Sequence, residues 1–173
     1  MIYFDNSATT KIAPAVLETY TKVSQQIWGN PSSLHKMGEQ AYLLLEQARK
    51  QIADLLGVMP GEIFFTSGGT EGDNWVIKGT AFEKRHFGNH LITSQVEHPA
   101  VLNTMAQLER LGYEVTYLPV DKNGQVNPAD LKAALRKDTI LVSIMAVNNE
   151  VGAIQPLREI AAILDDYPRV HFH

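Results

Sequence analysis

The sequence predicts an α/β fold, a mostly parallel sheet flanked by helices (α/β/α) and preceded by an N-terminal helical segment. Three observations predict it. From Glu62 onward, short apolar runs alternate with stretches of helical period, the pattern of a parallel sheet with crossover helices. The segment 139–147 is so apolar that a strand there would be buried on both faces. Before about residue 60 only helical spacing occurs. The expected organisation is a helical segment over residues 1–60 and an α/β cofactor-binding domain over residues 61–173.

The elements follow in order. Pro14 sits where a first helical turn tolerates it, and Val16, Leu17, Tyr20, Val23 and Ile27 then recur at helical spacing. Residues 28–33 break that pattern. A long amphipathic helix follows, with Leu34, Met37, Ala41, Leu44, Leu45, Ala48, Ile52, Leu55 and Leu56 on one face. Ser33 is its expected N-cap and Gly57 its expected terminator. Strands are expected at 63–66, 90–93, 114–119, 139–147 and from Arg169 on. Helices are expected at about 70–85, 99–111, after Asn127-Pro128, and at 157–164. The last run alternates Val170 and Phe172 with His171 and His173. It reads either as an edge strand or as the start of a longer strand, and the expectation is a truncated domain, because an unpaired strand end is a liability.

Composition narrows the function. The chain has 173 residues, of which 45% are hydrophobic and 20% charged, enough for a packed core and unlike a disordered chain. A net charge of −4 without a basic run argues against nucleic acid as a partner. The longest nearly apolar run, 140–147, is far too short to span a bilayer. The first five residues lack the basic and apolar regions of a signal peptide, so a cytoplasmic location is expected. There is no cysteine, which excludes disulfides, Cys-based zinc sites and a thiol nucleophile among these residues.

In open parallel sheets, ligands sit beyond the carboxyl ends of the strands. Three polar loops are expected on that edge: Ser67-Gly68-Gly69-Thr70, Ser94-Gln95-Val96-Glu97-His98-Pro99, and Asn148-Asn149-Glu150-Val151-Gly152. The first can be a turn with Thr70 as N-cap. It can equally be an anion cradle, where free N–H groups and a partial positive charge meet glycine backbone and two hydroxyls. It has no lysine and matches neither common nucleotide-binding glycine motif. His98 either caps a helix or faces a ligand. Asn148 and Asn149 either build a turn or aim amide donors at an oxygen. His171 and His173 share a strand face, but no third metal ligand lies near them in sequence, and no metal site is expected.

Five stretches, taken together, resemble one family. They are Tyr3-Phe4-Asp5-Asn6-Ser7-Ala8-Thr9-Thr10, Gly29-Asn30-Pro31-Ser32-Ser33-Leu34-His35, Phe65-Thr66-Ser67-Gly68-Gly69-Thr70-Glu71, Thr93-Ser94-Gln95-Val96-Glu97-His98 and Val147-Asn148-Asn149-Glu150-Val151-Gly152. The resemblance is to the NifS/IscS-like cysteine desulfurases, class V aminotransferases among the pyridoxal-phosphate enzymes of fold type I. It implies part of the fold type I large domain. It also implies pyridoxal 5′-phosphate as cofactor, L-cysteine as substrate, L-alanine and enzyme-bound persulfide as products, a sulfur-acceptor protein, and a homodimer. Gly69 and Thr70 match the phosphate-binding positions. His98 matches the histidine that stacks on the cofactor ring and assists proton transfer, the one catalytic position expected here. Asn149 matches the asparagine near the cofactor's phenolic oxygen and the substrate carboxylate. Asn30, Ser33 and His35 approach the site without an assigned role.

The family's pyridine-nitrogen aspartate, Schiff-base lysine and nucleophilic cysteine have no counterpart here, and the nine lysines fall in no matching context. The expectation is therefore the N-terminal half of a desulfurase, inactive alone, with its sulfur destined for iron–sulfur cluster assembly or tRNA thiolation. A selenocysteine lyase, a small-molecule aminotransferase, and a non-catalytic module binding pyridoxal phosphate or another phosphate ligand are the alternatives. An unrelated phosphate-binding α/β domain is disfavoured by the linked motifs.

Overall fold

The computed structural model describes residues 2–173. Met1, which opens the helical segment expected over residues 1–60, lies outside the described residues. Backbone contacts divide the chain into two units, one ending at Phe65 and the other beginning at Thr66.

The first unit is helical. Helix α1 spans Pro14–Gln26 with its proline in the first turn, as the missing proline N–H allows. Helix α2 spans Lys36–Leu56 and ends on Gly57, whose φ of 69° is the left-handed cap expected there. Its N-cap is His35, not Ser33: the His35 Nδ1 accepts the Gly38 N–H at 3.3 Å. The reason is the tight turn before it. Ser33 donates its N–H to the Asn30 carbonyl, and a Cβ on Gly38 would lie 2.2 Å from the Ser33 carbonyl oxygen. Ser33 is consumed by that turn, and the helix starts two residues later. A 3₁₀ turn, Pro60–Glu62, follows, with the Glu62 carboxylate accepting the Met59 N–H at 2.7 Å.

Residues 63–66, expected as a strand, begin extended at Ile63 but do not join the sheet. Instead the Arg49 guanidinium donates to the Ile63 carbonyl and lies over the Phe65 ring at 4.9 Å. An apolar run marks extended backbone, but a strand exists only where a neighbour supplies a ladder.

The second unit is a four-stranded, all-parallel sheet in the order β2-β1-β3-β4. Its elements are α3 (Gly69–Glu83), β1 (His90–Ser94), α4 (Pro99–Arg110), β2 (Glu114–Leu118), α5 (Pro128–Ala134), β3 (Thr139–Ser143), α6 (Leu157–Leu164) and β4 (His171–Phe172). Both central strands are buried throughout, as the apolar sequence requires. Alternation along β1 sends Leu91 to a cluster with Ile77 and Ala81 of α3 and Val101, Met105 and Leu108 of α4. Its neighbour Ile92 goes to the opposite cluster, with Leu131 of α5 and Ile160 and Leu164 of α6. Helices thus cover both faces, and each fully buried Leu or Ile contributes about 1.5–3 kcal/mol.

One irregularity breaks the alternation. The β1–β3 register skips a residue between His90↔Thr139 and Leu91↔Leu141, which leaves Ile140 as a bulge. Ile140 and Leu141 therefore both enter the α3/α4 cluster. The bulge is flanked by a buried histidine. His90 places Nδ1 2.7 Å from the Thr139 hydroxyl and Nε2 2.8 Å from the Thr116 hydroxyl, joining β1 to both neighbours.

Two expected strands are shorter than their apolar runs. β3 stops at Ser143, and residues 144–147 lead out of the sheet toward an isolated bridge, Val147↔Ile154. β4 holds only His171 and Phe172, both exposed. Among the described residues, β4 is the edge of the sheet, which leaves one side open to solvent.

Candidate functional site

The site is built where β1 and β3 end side by side. Sheet order runs from β1 outward in both directions, so this is the point at which the connections diverge and a crevice opens beyond the strand ends. Everything described here lies within the second unit.

Helix α3 begins at Gly69, which puts Thr70 inside the first turn rather than at the cap. The N-cap is Gly68, and among the described residues no side chain caps it. A Cβ on Gly68 or Gly69 would meet nothing within 4 Å, so the approach to these amides is open. Ser67 is used differently from the sequence expectation. Its N–H and its hydroxyl both donate to the Glu71 carboxylate, each at 2.6 Å. These two bonds, the hydroxyl first, hold the Glu71 carboxyl below its ordinary range. Ser67 thus braces the loop, and the N–H groups of Gly69 and Thr70 belong to the first turn of α3, which has no intrahelical acceptor for them.

His98 is the N-cap of α4: its Nδ1 accepts the Ala100 N–H at 3.1 Å. In the neutral ring the proton then sits on Nε2. His98 caps a helix and also lines space, so the two readings of it are compatible. A cavity of about 270 Å³ is lined by Thr70, Asn74, His98, Asn103 and Gln107 among others. A second, of about 450 Å³, takes in His98, Glu97, Asp73, Met145 and His173. His98 stands between the two.

The two asparagines divide the readings offered for them. Asn148 is buried and builds the turn: its Oδ1 accepts the Glu150 and Val151 N–H groups, each at 2.9 Å. Its Nδ2 donates to the Val96 carbonyl at 2.9 Å. Asn149 is exposed, with its amide 3.2 Å from the Glu150 carboxylate, and it lines neither cavity. The structure therefore brings Thr70 and His98 together, with Gly69 beside them in sequence, and leaves Asn149 on the loop next door.

Sequence reasoning passed over Glu97. It is 6% exposed and accepts the Ser94 hydroxyl at 2.7 Å and the Met145 N–H at 2.9 Å. Burial pushes its carboxyl up; the Met145 and Ser94 bonds pull it down, and Asp73 pushes it up again. A Ser-x-x-Glu spacing before a proline-started helix was the available signal. His171 lies 3.2 Å from the Thr80 hydroxyl, and His173, which lines the second cavity, lies 3.0 Å from the Ser143 hydroxyl and 3.7 Å from the Asp73 carboxylate. Among the described residues, no group of three or more His, Cys, Asp or Glu is placed to hold a metal, and no helix is long and apolar enough to cross a membrane.

The donor set suits an anion joined to a flat ring. It offers a helix N-terminus with glycine backbone and a hydroxyl, and an imidazole fixed at one nitrogen on the adjoining helix.

The family model described as aminotransferase class-V matches residues 2–172. A NifS/IcsS protein homolog of Lactobacillus delbrueckii subsp. bulgaricus is 68% identical over 173 residues, all of this chain and 45% of that protein. The cysteine desulfurase IscS of Methanosarcina thermophila is 52% identical over 172 residues, 99% of this chain and 42% of that protein. Among solved structures, a NifS-like protein superposes with a TM-score of 0.95 at 44% identity, covering 99% of this chain and 47% of that one. A structure described as SspA in complex with cysteine gives a TM-score of 0.93 at 42% identity, over 99% and 49% of the two chains. The chain spans about half the length of the relatives it matches.

Proposed function

The chain belongs to the aminotransferase class-V family, and from that premise we propose that it is the N-terminal, phosphate-holding part of a pyridoxal-phosphate-dependent cysteine desulfurase. One observation carries the reading: Thr70, in the first turn of α3 and next to Gly69, lines a cavity that His98 shares. The domain division proposed is a helical segment over 1–60 and a cofactor-binding part over 61–173.

When bound, pyridoxal phosphate supplies the electron sink for breaking bonds at the substrate carbon. The chain's own residues hold and orient. The Gly69 and Thr70 N–H groups and the Thr70 hydroxyl donate to the phosphate, where the helix dipole adds to the attraction. His98, its Nδ1 engaged by Ala100, would stack its ring on the cofactor and keep its Nε2 available for proton transfer. Asn149 supplies an amide donor for the phenolic oxygen and the L-cysteine carboxylate. Because the 173 residues contain no cysteine, the thiolate that takes the sulfur lies outside them. The 173 residues alone are inactive. The whole protein works as a cytoplasmic homodimer and passes persulfide sulfur to an acceptor protein, for iron–sulfur cluster assembly or tRNA thiolation.

The test uses the full-length gene product. Titration with pyridoxal phosphate, followed by its visible absorbance, should show saturable binding. Thr70→Ala should weaken it about tenfold or more, because a hydrogen bond to a charged group is lost. His98→Ala should reduce sulfide and alanine production from L-cysteine more than it reduces binding. Selenocysteine and a panel of amino and keto acids should turn over more slowly than L-cysteine. Saturable binding without turnover of any of these would leave a non-catalytic module; absence of binding would sink the reading.

A further inference from the structure

We infer that Glu97 is a positioning residue: its carboxylate, together with the Asn148 amide, clasps the β1–α4 loop to the chain leaving β3 and so sets where His98 stands. The inference rests on the reading of His98 as the residue that faces the cofactor.

The geometry is as follows. After Ser94 the chain must turn from a buried strand into the first turn of α4 within four residues. Gln95 donates its N–H toward β2, to the Leu118 carbonyl at 3.0 Å. The next two residues are pulled the other way, toward β3. The Val96 carbonyl accepts the Asn148 amide at 2.9 Å, and the Glu97 carboxylate accepts the Met145 N–H at 2.9 Å on Oε1 and 3.2 Å on Oε2. The Ser94 hydroxyl donates to the same Oε1 at 2.7 Å. Met145 and Asn148 lie 48 and 52 residues from their partners, so both bonds join separate segments.

Both clasping side chains are buried, Glu97 at 6% and Asn148 at 5% exposure. His98 follows directly, and its ring is held by one further bond, from Ala100. The imidazole therefore inherits its position from the backbone that Glu97 and Asn148 pin. A buried carboxylate is costly to keep unless its bonds are well made. Here the two shortest fall on one oxygen, so the clasp needs an acceptor at Oε1 and not a charge. That distinguishes it from an electrostatic role and makes Glu97→Gln the informative variant.

The experiment uses the full-length protein with ¹⁵N-labelled histidine, assigned by the signal lost in His98→Asn. Ring ¹⁵N shifts are read first without cofactor, then pyridoxal phosphate is titrated. Wild type should show His98 as a single Nε2–H tautomer. Glu97→Ala should give a mixture of tautomers and weaken pyridoxal phosphate binding by about tenfold or more, whereas Glu97→Gln should keep the wild-type pattern and an affinity within about threefold. Should Glu97→Ala fail to fold, Ser94→Ala and Asn148→Ala each loosen one arm, and the same shift toward mixed tautomers is expected, smaller in each. Wild-type His98 shifts in the variant that removes the acceptor, or equal damage from Gln and Ala, would overturn the inference. Lack of pyridoxal phosphate binding by the wild type would count against the functional reading alone, since the tautomer measurement does not use the cofactor.

Discussion

Leu55 and Leu141 are the same side chain in opposite circumstances. Leu55, near the end of α2, is 85% exposed, whereas Leu141, in β3, is fully buried. The contrast holds for the units around them. Among the described residues of the first unit only Gly38 and Ala53 are buried, and Leu34, Leu43, Leu55, Leu56 and Met59 all stand open. In the second, a sheet with helices on both faces closes two apolar clusters on its own. The sequence pattern of α2 is as amphipathic as that of α4, and α4 lies in the unit that contains the sheet. An apolar stripe says that a helix wants a partner; it does not supply one.

The largest expected effect comes from making that comparison directly. Leu141→Ala should destabilise the chain by about 2–5 kcal/mol in urea unfolding, while Leu55→Ala should stay within about 0.5 kcal/mol. Equal losses at both sites would mean that the α2 face is covered in solution, and the comparison would break. Native-state hydrogen exchange sharpens it: amides of β1 and β3 should be the slowest to exchange and those of α1 among the fastest.

A smaller effect is expected where the first unit is tightly built. A Cβ at Gly38 would press on the Ser33 carbonyl at 2.2 Å and the Asn30 carbonyl at 2.8 Å, both backbone atoms. Gly38→Ala should cost about 1–3 kcal/mol, visible as lost α2 helicity by circular dichroism. If it costs nothing, the 28–35 turn is looser than its close contacts indicate.

Next is a pH effect confined to the second unit. His90 is held below the ordinary histidine range, first by burial and then by Arg136, with Asp138 and Glu114 opposing. The unfolded chain therefore binds a proton at this site more readily than the folded one. The stability contribution is complete above the unfolded value of 6.5 and is lost as pH falls from there toward the lower folded value. Denaturation midpoints at pH 7.5 and 5.5 should differ less in His90→Gln than in wild type; an unchanged difference would remove His90 from the explanation.

The smallest effect is expected from Arg136→Ala. Its ion pairs with Glu114 and Asp138 are exposed and screened by salt, so the denaturation midpoint should move little and the shift should shrink as salt is added.

How much was legible follows from how local each signal is. Helix α6 lies at the residues its periodicity marked, 157–164, and Gly57 takes the left-handed cap, because both depend on neighbours three or four positions away. Ser33 gave way to His35 as a cap because a competing turn claimed it, and 63–66 stayed out of the sheet because no ladder reaches it among the described residues. The 67–70 loop and His98 were legible as residue types that suit a site, before helix α3 and after strand β1. The bracing of Ser67 by Glu71 and the Ser94–Glu97 bond were legible only as spacings, and the reach of Glu97 to Met145 was not legible.

The sequence by itself determined the α/β alternation and the parallel sheet, which rest on period and apolar runs, and, through the resemblance of five short stretches, the family. Only the tertiary structure decided the strand order β2-β1-β3-β4, the bulge that turns Ile140 and Leu141 to one side, and the division of labour between Asn148 and Asn149. It also decided the clasp that ties Glu97 to Met145 across 48 residues. The physical reason is that a side chain's burial and its bonding partner depend on which distant backbone arrives beside it, and no pattern within a few residues encodes that arrival.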